Sequence, residues 1–180
     1  MMFSINELEA GIDVVMDAPA DSGSLSLIVR RPKVDEREVL EVGELNLIDG
    51  LIGDSWRVRA GRGSGEPDPF NQIDVMSARA AALVAGDRAR WPLAGDQLYV
   101  DFDISQDNLP AGSRLRIGEA IIEVSARPHT GCQKFSSRFG VDALRFVNSE
   151  AGRKLRLRGL NASVVVPGTI RQGDPVRKEQ

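Results

Sequence analysis

One cysteine and one histidine occur in this chain of 180 residues, three positions apart in Arg127-Pro128-His129-Thr130-Gly131-Cys132-Gln133-Lys134-Phe135. Their types point to thiolate or soft-metal chemistry. A thiolate beside Lys, Arg or protonated His is stabilised, so the pKa of Cys132 is expected to fall below the free value of roughly 8.5. Lys134 and Arg127 supply the nearby positive charge. Gly131 has no Cβ and lets a ligand or another backbone approach the sulfur closely. A second reading stands beside this one: a lone cysteine also serves as a small, buried, unreactive apolar residue. His129 is likewise open to a catalytic or a structural role.

The neighbouring elements must hold that loop. Arg114 to Ile117 and Ala120 to Ser125 read as a hairpin through Gly118-Glu119, with glycine at the first position that a type II′ turn prefers. Its second arm leads into the cysteine loop. Val141 to Val147 reads as a short helix, Ser149 as the cap of a further turn, and Asn161 to Val166 as an apolar strand. Between them lie four cations in six residues, Arg153-Lys154-Leu155-Arg156-Leu157-Arg158. They suit a phosphate or pyrophosphate, or else form a solvated basic helix face.

Further towards the N-terminus, Ser4-Ile5-Asn6-Glu7 has the form of a capping box, and Ile5, Leu8, Ile12 and Val15 repeat at helical spacing. Residues 1–22 are therefore expected to be a helical appendage, used for packing. Leu25, Leu27 and Val29 alternate as one half-buried strand face, and Val39 to Leu47 continues as one or two strands interrupted by Gly43. Gly50-Leu51-Ile52-Gly53-Asp54 predicts a tight turn between strands. Residues 60–70 predict a long loop, without the lysine and Ser/Thr of a phosphate-binding P-loop. Ile73 and Val75 mark a short strand; Ser77 then caps a helix over 78–85 that Gly86 stops. Leu98, Val100, Phe102 and Ile104 form an apolar strand face. Tyr99, Asp101 and Asp103 form its other side, which reads as solvated although paired carboxylates also serve acid–base work or a hard cation.

Composition removes several classes of function. A net charge of -3 and a pI of about 5.3 offer no basic field for nucleic acid. No apolar run reaches the roughly 18 residues that span a bilayer, and the first residues lack the regions of a signal peptide. One cysteine forms no internal disulfide, and with one histidine it builds no common structural zinc site. A cytoplasmic, reduced setting is expected. Many short strands, a few short helices and Gly/Pro turns predict a mainly β domain, a closed β-barrel with short peripheral helices.

The order of Gly50-Leu51-Ile52-Gly53-Asp54, Asn108-Leu109, the Gly118 hairpin, Cys132 with Lys134 and Arg138-Phe139-Gly140, and Pro167-Gly168-Thr169-Ile170-Arg171-Gln172-Gly173-Asp174 resembles the MOSC domain. That module lies at the C-terminus of molybdenum cofactor sulfurases and in free-standing bacterial proteins. The resemblance spans roughly residues 23–177. It implies a barrel of the pyruvate-kinase barrel type, with Cys132 as ligand of molybdenum or as bearer of a persulfide sulfur. It also implies a molybdopterin in a basic cleft beside that cysteine. Pyridoxal phosphate belongs to a separate domain of the sulfurases and is not expected in this chain. Two departures stand out: Gly131 replaces a proline common before the cysteine, and residues 55–65 carry no histidine.

By that resemblance the chain is expected to bind molybdenum cofactor through Cys132. It would act as an oxidoreductase of N-hydroxylated compounds, with electrons from a partner protein, or as a carrier of sulfur or cofactor supplied by a donor protein. Cys132, His129 and Lys134 are the expected catalytic residues. Arg57, Arg127, Thr130, Gly131, Arg156 and Arg158 are expected around the cofactor. The competing expectation is a non-catalytic barrel that binds a small anionic metabolite or a protein partner, with Cys132 structural. A thiol redox sensor is a third.

Overall fold

The structure is a computed structural model that describes residues 2–58 and 66–179, so most of the loop expected over residues 60–70 lies outside the described residues. Eleven short strands are described: β1 (Ser22–Arg30), β2 (Glu38–Leu40), β3 (Val42–Asn46), β4 (Gly50–Leu51), β5 (Ile73–Ser77), β6 (Leu98–Asp101), β7 (Arg114–Ile117), β8 (Ala120–Val124), β9 (Leu160–Val166), β10 (Gly168–Arg171) and β11 (Pro175–Glu179). Seven of them close a ring in the order β1-β11-β7-β8-β9-β5-β6, with β6 pairing back to β1. Outside the ring, β2 adds to β1, and β10, β3 and β4 form a small second sheet. Closure leaves the ring without a free edge. The expected closed barrel with peripheral helices is what this chain forms.

Local sequence explains much of the ring. The β7–β8 hairpin turns at Gly118 with φ +55, while Glu119 keeps a negative φ, the pattern of a type II′ turn. β5 and β6 run parallel and therefore need a crossover, which begins with helix α3 (Ala78–Ala85). Ser77 caps that helix by accepting from the Ala80 amide, and Gly86 ends it at φ +71.

Apolar side chains sort into two cores. Leu25, Ile28, Val75, Leu98, Val100, Ile122 and Ala162 fill the barrel. Leu27, Val29, Met76 and Tyr99 point outwards and are covered by the helices: α1 (Ile5–Ala10), α2 (Ile12–Met16), α3, α4 (Gln133–Phe139) and α5 (Val141–Asn148). A short helix α6 (Glu150–Lys154) follows, capped by Ser149.

The packing corrects four expectations. Leu25, Leu27 and Val29 do not share a face, because a register shift between Leu25 and Leu27 sends Leu25 inwards and the other two outwards. Tyr99 is fully buried and donates to the Trp91 carbonyl at 2.7 Å, so its side of β6 is solvated only further along, at Asp101. Gly43 lies inside β3, where Leu51 and Ile28 leave no room for a Cβ; the strand breaks at Glu41 instead. The N-terminal helix is interrupted at Gly11, which sits against Leu83.

Candidate functional site

The pairings Val124↔Ala162, Val75↔Leu160, Val75↔Leu98 and Ile28↔Leu98 bring the end of β8, the starts of β9 and β6, and the end of β1 to one rim of the barrel. The chain segments that leave this rim carry the candidate residues. Residues 125–132 run from β8 into α4, residues 155–159 lead into β9, Asp96 precedes β6, and Arg31 follows β1.

A reciprocal amide pair ties down the cysteine loop. The Gly131 N–H donates to Asn148 Oδ1 at 2.9 Å, and Asn148 Nδ2 donates to the Gly131 carbonyl at 3.1 Å. A Cβ on Gly131 would lie 2.8 Å from Leu144 Cδ1 and 3.0 Å from Val147 Cγ2. Close approach is thus the reason for glycine here, but the group that approaches is helix α5.

Cys132 is exposed and stands as N-cap of α4. Its partial burial pushes the thiol pKa up. The Phe135 and Lys134 amides and the charges of Arg158 and Arg138 outweigh that effect and hold it below the ordinary value. The sulfur borders a cleft of about 220 Å³ with Arg31, Arg37, Lys134, Arg138 and Arg158, against Asp35 and Asp74. Burial opposes the charge on Arg31, yet Asp74 at 2.6 Å and Asp54 at 2.9 Å raise its pKa. Among the described residues Arg37 donates only to the Pro92 and Glu36 carbonyls; burial, then Arg138 and Arg31, lower its pKa. Lys134 has no ion-pair partner among the described residues.

A second cleft, of about 400 Å³, adjoins the first. Arg127, His129 and Thr130 line one side of it and Arg153, Arg156 and Arg158 the other, with no aspartate or glutamate among the described lining residues. The loop and the basic run therefore face one space. Their charges are not equally free. Arg127 pairs with Asp68 at 3.0 Å and Arg158 with Asp96 at 2.7 Å. Arg156 donates to the Ile104 and Leu109 carbonyls at 3.2 and 2.6 Å and has no ion-pair partner among the described residues, its pKa lowered by burial. Arg153 has no ion-pair partner among the described residues. Helix geometry ends at Lys154, so residues 155–158 are a turn rather than a helix face.

Arg158 lines both clefts and is 7 % exposed. Its Nη1 lies 2.7 and 2.9 Å from the two oxygens of Asp96, Nη2 donates to the Ala94 carbonyl at 2.9 Å, and the guanidinium stacks 5.1 Å from the Phe135 ring centre. Nε is buried without a partner among the described residues. Asp96 Oδ1 also meets His129 Nε2 at 3.0 Å. Full burial pushes the Asp96 pKa up, but Arg158 and His129 together hold it below the usual carboxylate range.

Sequence-expected residues thus divide three ways. Cys132 and Lys134 share the smaller cleft; Arg127, His129, Thr130 and Arg156 share the larger; Arg158 belongs to both. His129 is turned to Asp96, in the cleft next to that of Cys132. Arg57 and Gly131 line neither cleft; Arg57 is exposed and faces Asp49 at 3.5 Å. The Asp101–Asp103 pair is also elsewhere, with Asp101 held by Arg79 at 2.6 Å and Asp103 accepting from the Ser105 amide.

Sequence reading missed Asp96, Arg31, Arg37 and Asn148. Arg31 and Asp96 did carry a signal, each being a charge set at the end of an apolar strand. Among the described residues no group of three or more His, Cys, Asp or Glu side chains gathers around a metal position, and no helix is long and apolar enough to cross a membrane. A metal at Cys132 would therefore have to bring its other ligands.

Comparison with known proteins agrees with the barrel. The YuaD protein from Bacillus subtilis superposes with a TM-score of 0.60 at 18% identity, over 88% of this chain and 97% of that one. YiiM from Escherichia coli gives 0.57 at 19% identity, over 87% and 70%, and YiiM from Geobacillus stearothermophilus 0.54 at 12%, over 88% and 73%. At these identities the likeness is one of fold. No curated protein matches the chain in sequence. The MOSC domain family model matches residues 69–177, from the short helical turn before β5 into β11. The chain belongs to the MOSC domain family.

Proposed function

We propose that this chain binds a molybdenum cofactor across the two clefts that meet at Arg158. Cys132 is then the protein's sulfur ligand, and the arginine cleft takes the phosphate-bearing end. The observation that carries this reading is the arrangement around Arg158. An exposed sulfur whose thiol pKa is held below its ordinary value lies on one side of a buried guanidinium, and an arginine cleft with no carboxylate among its described lining residues lies on the other. The family is associated with molybdenum-cofactor binding, and the residues suit that group. A soft thiolate is the ligand type for a metal of this kind, and a single protein ligand is enough for a metal already held by its own organic ligand.

When bound, the cofactor would supply the redox-active metal and its oxo or sulfido groups. The chain's own part is binding and charge. Arg153 and Arg156 neutralise the phosphate, while the Phe135 and Lys134 amides and the charges of Arg158 and Arg138 favour the thiolate of Cys132. An oxidoreductase of N-hydroxylated compounds would draw electrons from a partner protein, and a carrier would receive sulfur or cofactor from a donor. A second reading has its own support. The arginine cleft does not contain Cys132, so an anionic metabolite fits there without the sulfur.

Cofactor retention at fixed salt tests the first reading. Loss of one charge-assisted contact costs about 1.5–3 kcal/mol, roughly ten- to a hundred-fold in affinity. Arg153→Ala should show that loss, while Arg171→Ala, which lines neither cleft, should not. Equal retention by wild type and both variants would contradict the assignment of the phosphate end.

A further inference from the structure

His129 is the single histidine of the chain, and one edge of its ring is fully engaged. Nε2 lies 3.0 Å from Asp96 Oδ1, and Cδ2 packs against the backbone at Gly159, where an added Cβ would meet it at 3.2 Å. The opposite edge, with Nδ1, has no hydrogen-bond partner among the described residues. The side chain keeps 15 % of its surface exposed where it borders the arginine cleft.

Asp96 is fully buried and already bound by Arg158 through both oxygens, so it is a carboxylate that only accepts. Nε2 must therefore be the donor in either charge state of the ring, and the proton that comes and goes is the one on Nδ1. The charged groups that face the ring are Asp96 and Arg158 behind it, Arg127 on its own loop, Arg153 and Arg156 across the cleft, and Asp74 of β5 in an adjoining groove.

We propose that Nδ1 of His129 is the proton-exchanging atom of the arginine cleft, and that Asp96 is the positioning residue that keeps the other proton on Nε2. The ligand class is an oxyanion of the phosphate type with a protonatable oxygen. One proton passes between that oxygen and Nδ1, the O–H bond breaking as N–H forms, or the reverse. The imidazolium so made shares its charge with Asp96 through Nε2–H. This goes beyond the molybdenum reading and does not need it.

Two measurements on the full chain test the proposal. With one histidine, a long-range ¹H–¹⁵N correlation spectrum has a single imidazole to assign. At high pH it should show a protonated Nε2 and a bare Nδ1, and Asp96→Asn should mix or invert the two tautomers. A dominant Nδ1–H form in the wild type would overturn the proposal even if the variant fails to fold.

Inorganic sulfate, whose charge is constant from pH 8 to 5.5, is the second probe. Its affinity should rise about tenfold over that range in the wild type, the effect of one charge-assisted donor. The rise should vanish in His129→Gln. Cys132, which titrates in the neighbouring cleft, is common to both chains. An equal rise in both, or none in either, would overturn the assignment of Nδ1. A chain that shows these effects but holds no molybdenum would refute the cofactor reading alone.

Discussion

Arg158 and Asp96 meet in a buried ion pair, with one guanidinium nitrogen 2.7 and 2.9 Å from the two carboxylate oxygens. The pair stands between the sulfur cleft and the arginine cleft, and it orients both the charge beside Cys132 and the ring of His129.

Removing one partner of such a pair leaves the other charge buried. Asp96→Ala should therefore cost about 3–5 kcal/mol of stability in chemical denaturation. Asp96→Ala with Arg158→Met removes both charges and should recover part of the loss. A single variant within about 0.5 kcal/mol of wild type would contradict the burial of the pair.

The same pair sets a pH dependence. The folded-state pKa of Asp96 lies below its unfolded value, so the stability it contributes is present above roughly pH 3.9 and is lost as pH falls through the folded pKa. Acid titration of wild type against a folded Asp96→Asn should show the wild-type advantage shrinking only in that acid range. An advantage that grows with acidification has the wrong sign for this pair.

The Cys132 thiol should titrate below the free value of roughly 8.5. Alkylation rate against pH reads the midpoint directly, and Arg138→Ala should raise it by removing one of the charges that favour the thiolate. A wild-type midpoint at or above the free-thiol value would contradict the electrostatics described here.

Arg156 adopts φ +50, a left-handed conformation that costs a non-glycine residue about 1–2 kcal/mol. Arg156→Ala and Arg156→Gly both lose the bonds to Ile104 and Leu109, but only glycine sheds the backbone cost. Arg156→Gly should thus be the more stable by roughly 1 kcal/mol in thermal or chemical unfolding. Equal stability would mean that the turn relaxes.

The barrel was legible because its signals are local. Alternation from Leu98, which forms a strand as far as Asp101, the Gly118 hairpin, and the Ser77 cap with Gly86 each specify their own element. The bulge that turns Leu27 and Val29 outwards was not legible, since it depends on how β1 meets β6. The site was half legible. Cys132, His129 and the run at 153–158 stand out by type and spacing. Asp96 and Arg31 acquire meaning only when residues 62 and 43 positions away in sequence close on them. Arg57 stands out in the sequence by its charge alone, and among the described residues it pairs with Asp49 at 3.5 Å and lines neither cleft.

Gly131→Ala bears on the local geometry of the cysteine loop. The new methyl group must displace Leu144 or Val147, an overpacking cost of about 1–3 kcal/mol. The alkylation midpoint of Cys132 should shift along with stability, because the loop that carries the sulfur moves. A variant that keeps both unchanged would show that helix α5 does not fix the loop.

The most direct measurement of the central claim is molybdenum content. The wild-type chain and Cys132→Ser, purified from the same cofactor-producing host, are compared by elemental analysis. We expect metal bound in the wild type and lost in the serine variant, which keeps the fold but offers no thiolate. Metal retained equally in both chains, or absent from the wild type after reconstitution with molybdopterin, would contradict Cys132 as the ligand.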